Sequence, residues 1–261
     1  MKTTPFTKYH IANGAKMAEF AGYNMPIEFT GINEEHLNVR GKEGESDVSH
    51  RGEIWVKGPT ALAFLQHITS NNVAALTDGK VQYTTMPNGK GGIVDDLLVY
   101  RIDAETYLLV VNAANIAKDY AHIVKEGEAF GLTGGKEIYN ASDEICQLAV
   151  QGPLAMKIIQ KMCPAPVEDL VYYTFVKTEI AGIKDAIVSA TGYTGAGGCE
   201  IYIANEDADK LWRALCAAGE ESGLTNIGLG ARDPLRLAQA SCLDAVDLAD
   251  TTTATYHCRR R

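Results

Sequence analysis

Hydrophobic and polar positions change rhythm several times along this chain, and the changes predict its elements. Between Val81 and Asn112, β-rich runs alternate with turn chemistry: VQYTTM, the turn Pro87-Asn88-Gly89-Lys90-Gly91-Gly92, IVDDLLVYR, a short polar link, then TYLLVVN. This pattern predicts three consecutive antiparallel strands. Placing Met86 opposite Ile93 sets Tyr83 opposite Asp96, and centring the second hairpin near Ala104 sets Asp96 opposite Asn112. Side chains alternate between the faces of a strand, so Asp96 shares a face with Tyr83 and Asn112, and Asp95 is expected on the other. A carboxylate, a phenol and an amide side by side make a poor core and a candidate site. The competing reading is the solvated face that antiparallel sheets often keep.

Helical periodicity covers about 113–129 (AANIAKDYAHIVKEGEA) and 206–221. Asn205 is the expected cap of the second helix, with Leu211, Trp212 and Leu215 on one side. Further strands are expected at 175–180, 185–190 and 199–204. An internal echo links Val56-Lys57-Gly58-Pro59-Thr60-Ala61 to Val150-Gln151-Gly152-Pro153-Leu154-Ala155, 94 positions later. In each, a β-rich run ends in Gly-Pro, and the proline is expected in the first turn of an amphipathic helix, where its missing N–H costs nothing. Gly-Pro before a helix is a common junction; the matching flanks favour two related strand–helix units. Strands and helices alternate without a regular βαβ rhythm, which predicts an α+β fold. No linker, low-complexity segment or charge run marks a domain boundary.

Composition narrows the function classes. The 261 residues are enough for one large or two smaller domains. A net charge of −9 argues against non-specific nucleic-acid binding, so an anionic ligand needs a local basic pocket. Cys146, Cys163, Cys199, Cys216, Cys242 and Cys258 contain no C-x-x-C, and the six histidines form no H-x-x-x-H. No metal site is expected, and the cysteines read as free thiols in a reducing cytosol. MKTTPFTKYH has no apolar signal core, and no run approaches the ~18 apolar residues of a membrane span. A soluble, cytoplasmic protein without a membrane partner is expected.

Several motifs are weak. Thr191-Gly192-Tyr193-Thr194-Gly195-Ala196-Gly197-Gly198 lacks the Lys-Ser/Thr of a P-loop, so its glycines are expected to permit a sharp turn or close backbone approach to a ligand. Gly228-Leu229-Gly230 is half a dinucleotide fingerprint, without the third glycine or the downstream acid. Ser49-His50 has no elbow to make it a hydrolase site.

Read in order, several segments resemble the aminomethyltransferase (T-protein) family of the glycine cleavage system. They are GAKMAEFAGYNMPIEFTGI, DVSH at 47–50, VKGP at 56–59, QYTTM at 82–86, GGIVDDLLVYR at 91–101, LLVVNAAN at 108–115, LAVQGP at 148–153, TGYTGAGGCEIY at 191–202 and GLGARDPLRL at 228–237. The resemblance runs from residue 1 to about 243. It implies two intertwined α/β domains of the family's folate-binding fold. One is a discontinuous folate-binding domain, 1–54 plus 146–243. The other is an inserted domain, 55–145, carrying the Asp96 meander, and a divergent tail covers 244–261.

The resemblance also implies chemistry. The family moves an aminomethyl carbon from a lipoyl carrier protein to tetrahydrofolate and releases ammonia. Asp96 matches its essential aspartate, Tyr83 and Asn112 match folate-pocket residues, and Tyr193, Glu200 and Arg232 match further pocket positions. A carboxylate at Glu200 suits a pterin, because it can accept two parallel N–H bonds from the aminopyrimidine edge. Two alternatives are a folate-binding module without transferase activity and a folate-dependent methyltransferase or demethylase. The first is disfavoured by the absence of a K-G-C-Y-x-G-Q-E type signature.

Four departures from the family pattern stand out. Arg51 replaces a usual Met near the pocket. Glu45 and Ser46 replace apolar residues; burying an unpaired Glu costs several kcal/mol, so this edge is expected to be exposed or rearranged. Pro234 replaces a hydroxyl residue at what is expected to be an early helical position. The pattern thins after Leu237 and ends in ATYHCRRR, where the family's C-terminal β-barrel domain is expected to be missing and the terminal arginines disordered.

Overall fold

A computed structural model describes residues 1–239, 241 and 251. The expectations for the tail, including the 243/244 boundary, Cys242, Cys258 and the terminal arginines, lie outside the described residues. The chain opens with α1 (Thr7–Ala12), β1 (Lys16–Phe20), β2 (Tyr23–Glu28), α2 (Ile32–Gly41) and β3 (Gly44–Asp47). There follow β4 (Gly52–Lys57), α3 (Ala61–Ile68), β5 (Lys80–Pro87), β6 (Ile93–Asp103), β7 (Thr106–Val111), α4 (Ile116–Gly127) and β8 (Ile138–Asn140). The last series is β9 (Ile145–Gln151), α5 (Ala155–Gln160), β10 (Phe175–Ile180), β11 (Ile183–Ser189), β12 (Gly198–Ala204), α6 (Ala208–Gly219), β13 (Thr225–Asn226) and α7 (Leu229–Ala238).

These elements form two units. One combines Met1–His50 with Glu144–Ser241; the other is built on Arg51–Asp143. The first holds a six-stranded sheet in the order β10-β11-β12-β9-β3-β13, besides the β1-β2 hairpin. Alternate residues of β9 and β12, among them Cys146, Leu148, Val150, Cys199 and Ile201, join Trp212 and Leu215 of α6 in its core. The second unit holds a sheet in the order β5-β6-β7-β4-β8, packed through Ile54, Val99 and Leu109 against Phe64, Leu65 and Ile123 of α3 and α4. The fold is α+β, and no barrel closes among the described residues. No helix among them is long and apolar enough to cross a membrane.

The echoed segments adopt one design, once in each unit. β4 and β9 each end at a glycine, Gly58 (φ 125°) and Gly152 (φ 130°), in a region L side chains avoid. Each glycine carbonyl then accepts the amide three residues on, from Ala61 and from Ala155, at 3.1 Å. The prolines occupy this turn, two residues ahead of α3 and α5, and not the first helical turn.

Three other expectations change. The first hairpin pairs Met86 with Asp95 and Tyr83 with Leu98, two residues away from the expected register, with an irregularity between Met86 and Pro87. The second has the expected register: Leu98 meets Val110 and Tyr100 meets Leu108. Asn205 opens a short 3-10 turn, so α6 begins after Asp207 and no side chain caps it. Pro234 sits well inside α7, where no N–H is available to continue the ladder.

The largest correction concerns β3. Glu45 and Ser46 are buried, at 3% and 6% exposure, and β3 is not an edge: β9 pairs with it on one side and the two-residue β13, in parallel with Gly44 and Glu45, on the other. Glu45 Oε2 has no hydrogen-bond partner among the described residues. Burial, reinforced by nearby Asp47, pushes its carboxyl up to about 8. The residue is therefore carried as a neutral acid at pH 7, which removes most of the cost expected for a buried charge.

Candidate active site

The meander brings three sequence-predicted residues into direct contact. Tyr83 Oη donates to Asp96 Oδ2 at 2.6 Å, and Asn112 Nδ2 donates to Asp96 Oδ1 at 2.5 Å. The register slip in the first hairpin is even, so Tyr83 keeps its face and reaches Asp96 across a diagonal instead of from directly opposite. Asp95 departs from expectation. Asn112 follows the last paired residues of β7, at φ −74° and ψ 143° before a 3-10 turn, and its amide reaches both acids. Asn112 Nδ2 lies 2.8 Å from Asp95 Oδ1, and its backbone N–H donates to Asp95 Oδ2 at 3.2 Å. Asp95 is thus a buried neighbour of the site, not a residue turned away from it.

Electrostatics follow from this geometry. Burial is the main influence on Asp96 and, with the charge of Asp95, pushes its carboxyl up to about 6. The hydrogen bonds from Tyr83 and Asn112 and the positive charge of Arg51 pull the other way. At neutral pH most molecules carry Asp96 ionised, and the proton exchanges just below neutrality. A carboxylate so placed can stabilise a developing cation, and can hold or release a proton near working pH.

Tyr193, Glu200 and Arg232 lie in the other unit. Glu200 is buried in β12, opposite Ala149 of β9 and Ser189 of β11, and its Oε2 accepts from Thr191 Oγ1 at 2.6 Å. Tyr193 is half-buried in the glycine-rich loop. That loop is held by Gln151, whose Nε2 donates to the carbonyls of Thr191 (3.1 Å) and Cys199 (3.0 Å) and whose Oε1 accepts from Thr194 Oγ1 (2.8 Å). Arg232, also half-buried, stands in the first turn of α7. The start of α7 is fixed by Glu35: Oε2 accepts from Gly228 N at 2.8 Å, and Oε1 accepts from Phe29 N and Thr30 N at 2.6 and 2.9 Å. A Cβ at Gly228 would stand 2.1 Å from the Ile27 carbonyl, so this glycine serves chain packing and not a dinucleotide. Ser49 Oγ is likewise committed to the Gln147 carbonyl. Hydrogen bonds knit the first trio; the second is spread over a strand, a loop and a helix. Gln151 and Glu35, which position those elements, carried no signal in the sequence beyond being polar.

Comparison with known proteins gives the family. The GCVT N-terminal domain family matches residues 6–256. Aminomethyltransferases of Phocaeicola vulgatus and Bacteroides fragilis are each 58% identical over 253 residues, covering 97% of this chain and 69% of their own length. The crystal structure of glycine cleavage system aminomethyltransferase T from Bartonella henselae superposes with a TM-score of 0.87 at 32% identity, covering 97% of this chain and 66% of that one. A heterotetrameric sarcosine oxidase from Corynebacterium sp. U-96 shares the fold alone, at 15% identity and a TM-score of 0.55. An α+β fold with the ordered sequence segments, the domain match and these similarities together establish that the chain belongs to the aminomethyltransferase family of enzymes.

Proposed function

We propose that this protein transfers an aminomethyl carbon from a lipoyl carrier protein to tetrahydrofolate, with release of ammonia, as a cytoplasmic glycine cleavage enzyme. The observation that carries the reading is Asp96, buried in its strand and fixed by Tyr83 at 2.6 Å and Asn112 at 2.5 Å. The donor carbon sits between nitrogen and sulfur, so breaking its C–S bond leaves positive charge on the C–N unit. Asp96, mostly ionised at pH 7 yet removed from bulk water, opposes that charge more strongly than an exposed carboxylate would. Tyr83 and Asn112 keep it oriented, and a carboxyl near 6 can also hold the proton that the attacking amine gives up.

Tetrahydrofolate supplies two nitrogens: the first attacks the carbon freed from sulfur, the second closes the methylene bridge as the C–N bond to ammonia breaks, and the two N–H protons pass to the departing thiolate and amine. Glu200, with a carboxylate suited to paired N–H donors, takes the aminopyrimidine edge; Tyr193 offers a ring face and Arg232 a positive charge for an acidic tail. Within the folate-binding domain proposed for 1–54 plus 146–243, these three recognise the ligand. Asp96 belongs to the inserted domain proposed for 55–145.

The test is direct. Tetrahydrofolate is titrated into the 261-residue chain, and methylenetetrahydrofolate formation from aminomethylated lipoyl protein is followed in single turnovers. Asp96→Ala is expected to slow transfer at least about 100-fold with its folate affinity within a few-fold of wild type. Wild-type binding without turnover would favour a folate-binding module instead, and no binding would end the folate reading.

A further inference from the structure

The sheet face that carries Glu200 holds two polar side chains with no hydrogen-bond partner among the described residues. Cys146, Leu148 and Val150 of β9 point into the core of the first unit, so Gln147 and Ala149 point to the opposite face. Register fixes their neighbours there: Ser46 and Glu200 flank Ala149, and Tyr202 flanks Gln147. Gln147 is 0% exposed, and among the described residues neither its Nε2 nor its Oε1 has a hydrogen-bond partner; the Oγ of Ser46, diagonal to it in the register, also lacks one. A buried carboxamide with both ends unmet is costly, and such groups are normally met by a bound water, ion or ligand. Ala149 leaves a low floor between the Gln147 and Glu200 side chains, and the Tyr202 ring adds an aromatic border.

We infer that Gln147, with Ser46 beside it, is a further ligand-recognition position next to Glu200, taking a heterocycle edge that sets an N–H donor beside a nitrogen acceptor. The inference rests on the folate reading of Glu200. A carboxylate accepts only, so it suits the 2-amino and N3–H edge of a reduced pterin. The next edge of the same ring system places acceptor N1 beside donor N8–H. A carboxamide matches that alternation with one donor and one acceptor, and a carboxylate does not. Ser46 supplies a small hydroxyl where a bulkier apolar side chain would crowd the amide.

Isothermal titration of the 261-residue chain with tetrahydrofolate and with 8-deazatetrahydrofolate, which lacks N8–H, tests this. Gln147→Leu is expected to weaken tetrahydrofolate about tenfold and the deaza analogue less than about threefold. Its melting temperature is expected to hold or rise, because leucine removes an unmet amide. Ser46→Ala is expected to have a smaller effect in the same sense. Unchanged affinity in Gln147→Leu, or equal losses for both ligands, overturns the inference. Should Gln147→Leu fail to fold, Gln147→Met serves the same comparison; if that also fails, the amide is structural and the inference is wrong. Wild type binding neither ligand defeats the folate reading itself. Wild type binding both, with Glu200→Gln weakening both and Gln147→Leu neither, defeats only the role of Gln147.

Discussion

Asp96 in the meander and Glu45 in β3 have both lost nearly all contact with solvent, at 8% and 3% exposure, yet they differ in protonation. Asp96 has a phenol and an amide on its two oxygens and settles near 6; Glu45 Oε2 has no partner among the described residues, and Glu45 settles near 8. Asp47, two residues along the same strand from Glu45, completes the series. Burial alone would raise it, but His10, Thr4 and the Ser49 amide all donate to it and hold it below the usual carboxylate range. Loss of water pushes all three acids the same way. The donors each acid meets decide whether it is ionised at neutral pH.

The comparison is most sharply tested at Glu45. Below pH 4.5 the side chain is neutral in both folded and unfolded chains. Between 4.5 and 8 the unfolded chain ionises while the folded one holds its proton, so stability falls as pH rises, and the loss is complete above 8. Glu45→Leu is expected to remove that slope and to stabilise the protein at pH 8 by on the order of a few kcal/mol. Urea denaturation at pH 5 and pH 8 measures it; parallel wild-type and variant curves would show that Glu45 is already ionised in the fold.

A smaller effect is expected at Tyr83. Tyr83→Phe removes a donor that favours ionised Asp96, so the acid limb of the single-turnover rate is expected to move above pH 6, by up to about one unit. A limb that stays in place would mean the phenol does not set the acidity of Asp96. The smallest change belongs to Arg51→Met, which removes a half-exposed charge and is expected to move the same limb upward by a few tenths of a unit. Half-molar salt should reproduce part of that shift in wild type and leave the variant unaffected.

The meander was readable in the sequence because its links are short. Asp103-Ala104-Glu105 leaves little choice, and the β6–β7 register emerges as expected. The six-residue turn at Pro87–Gly92 hides an irregularity, so that hairpin slips by two; period-two alternation tolerates an even slip, and Tyr83 still meets Asp96. Asp95 could not be placed by alternation, because Asn112 lies beyond the paired part of its strand and its amide is free to span both acids. The burial of Glu45 was hidden for a different reason. The strand that makes β3 an interior one is two residues, Thr225 and Asn226, far along the chain and too few to announce a strand. Local pattern reported local pairing; what covers an edge from a distance left no local mark.

The split first unit has a consequence for how a nascent chain matures. Arg51–Asp143 is one uninterrupted stretch, so its sheet can close while synthesis continues. β3 must wait for β9 on one side and for Thr225 on the other. At elongation rates of roughly 5 to 20 residues per second, that second wait is roughly 10 to 35 seconds. Until the sheet is complete Glu45 lacks the burial that raises its carboxyl, so closing the sheet is coupled to the uptake of a proton.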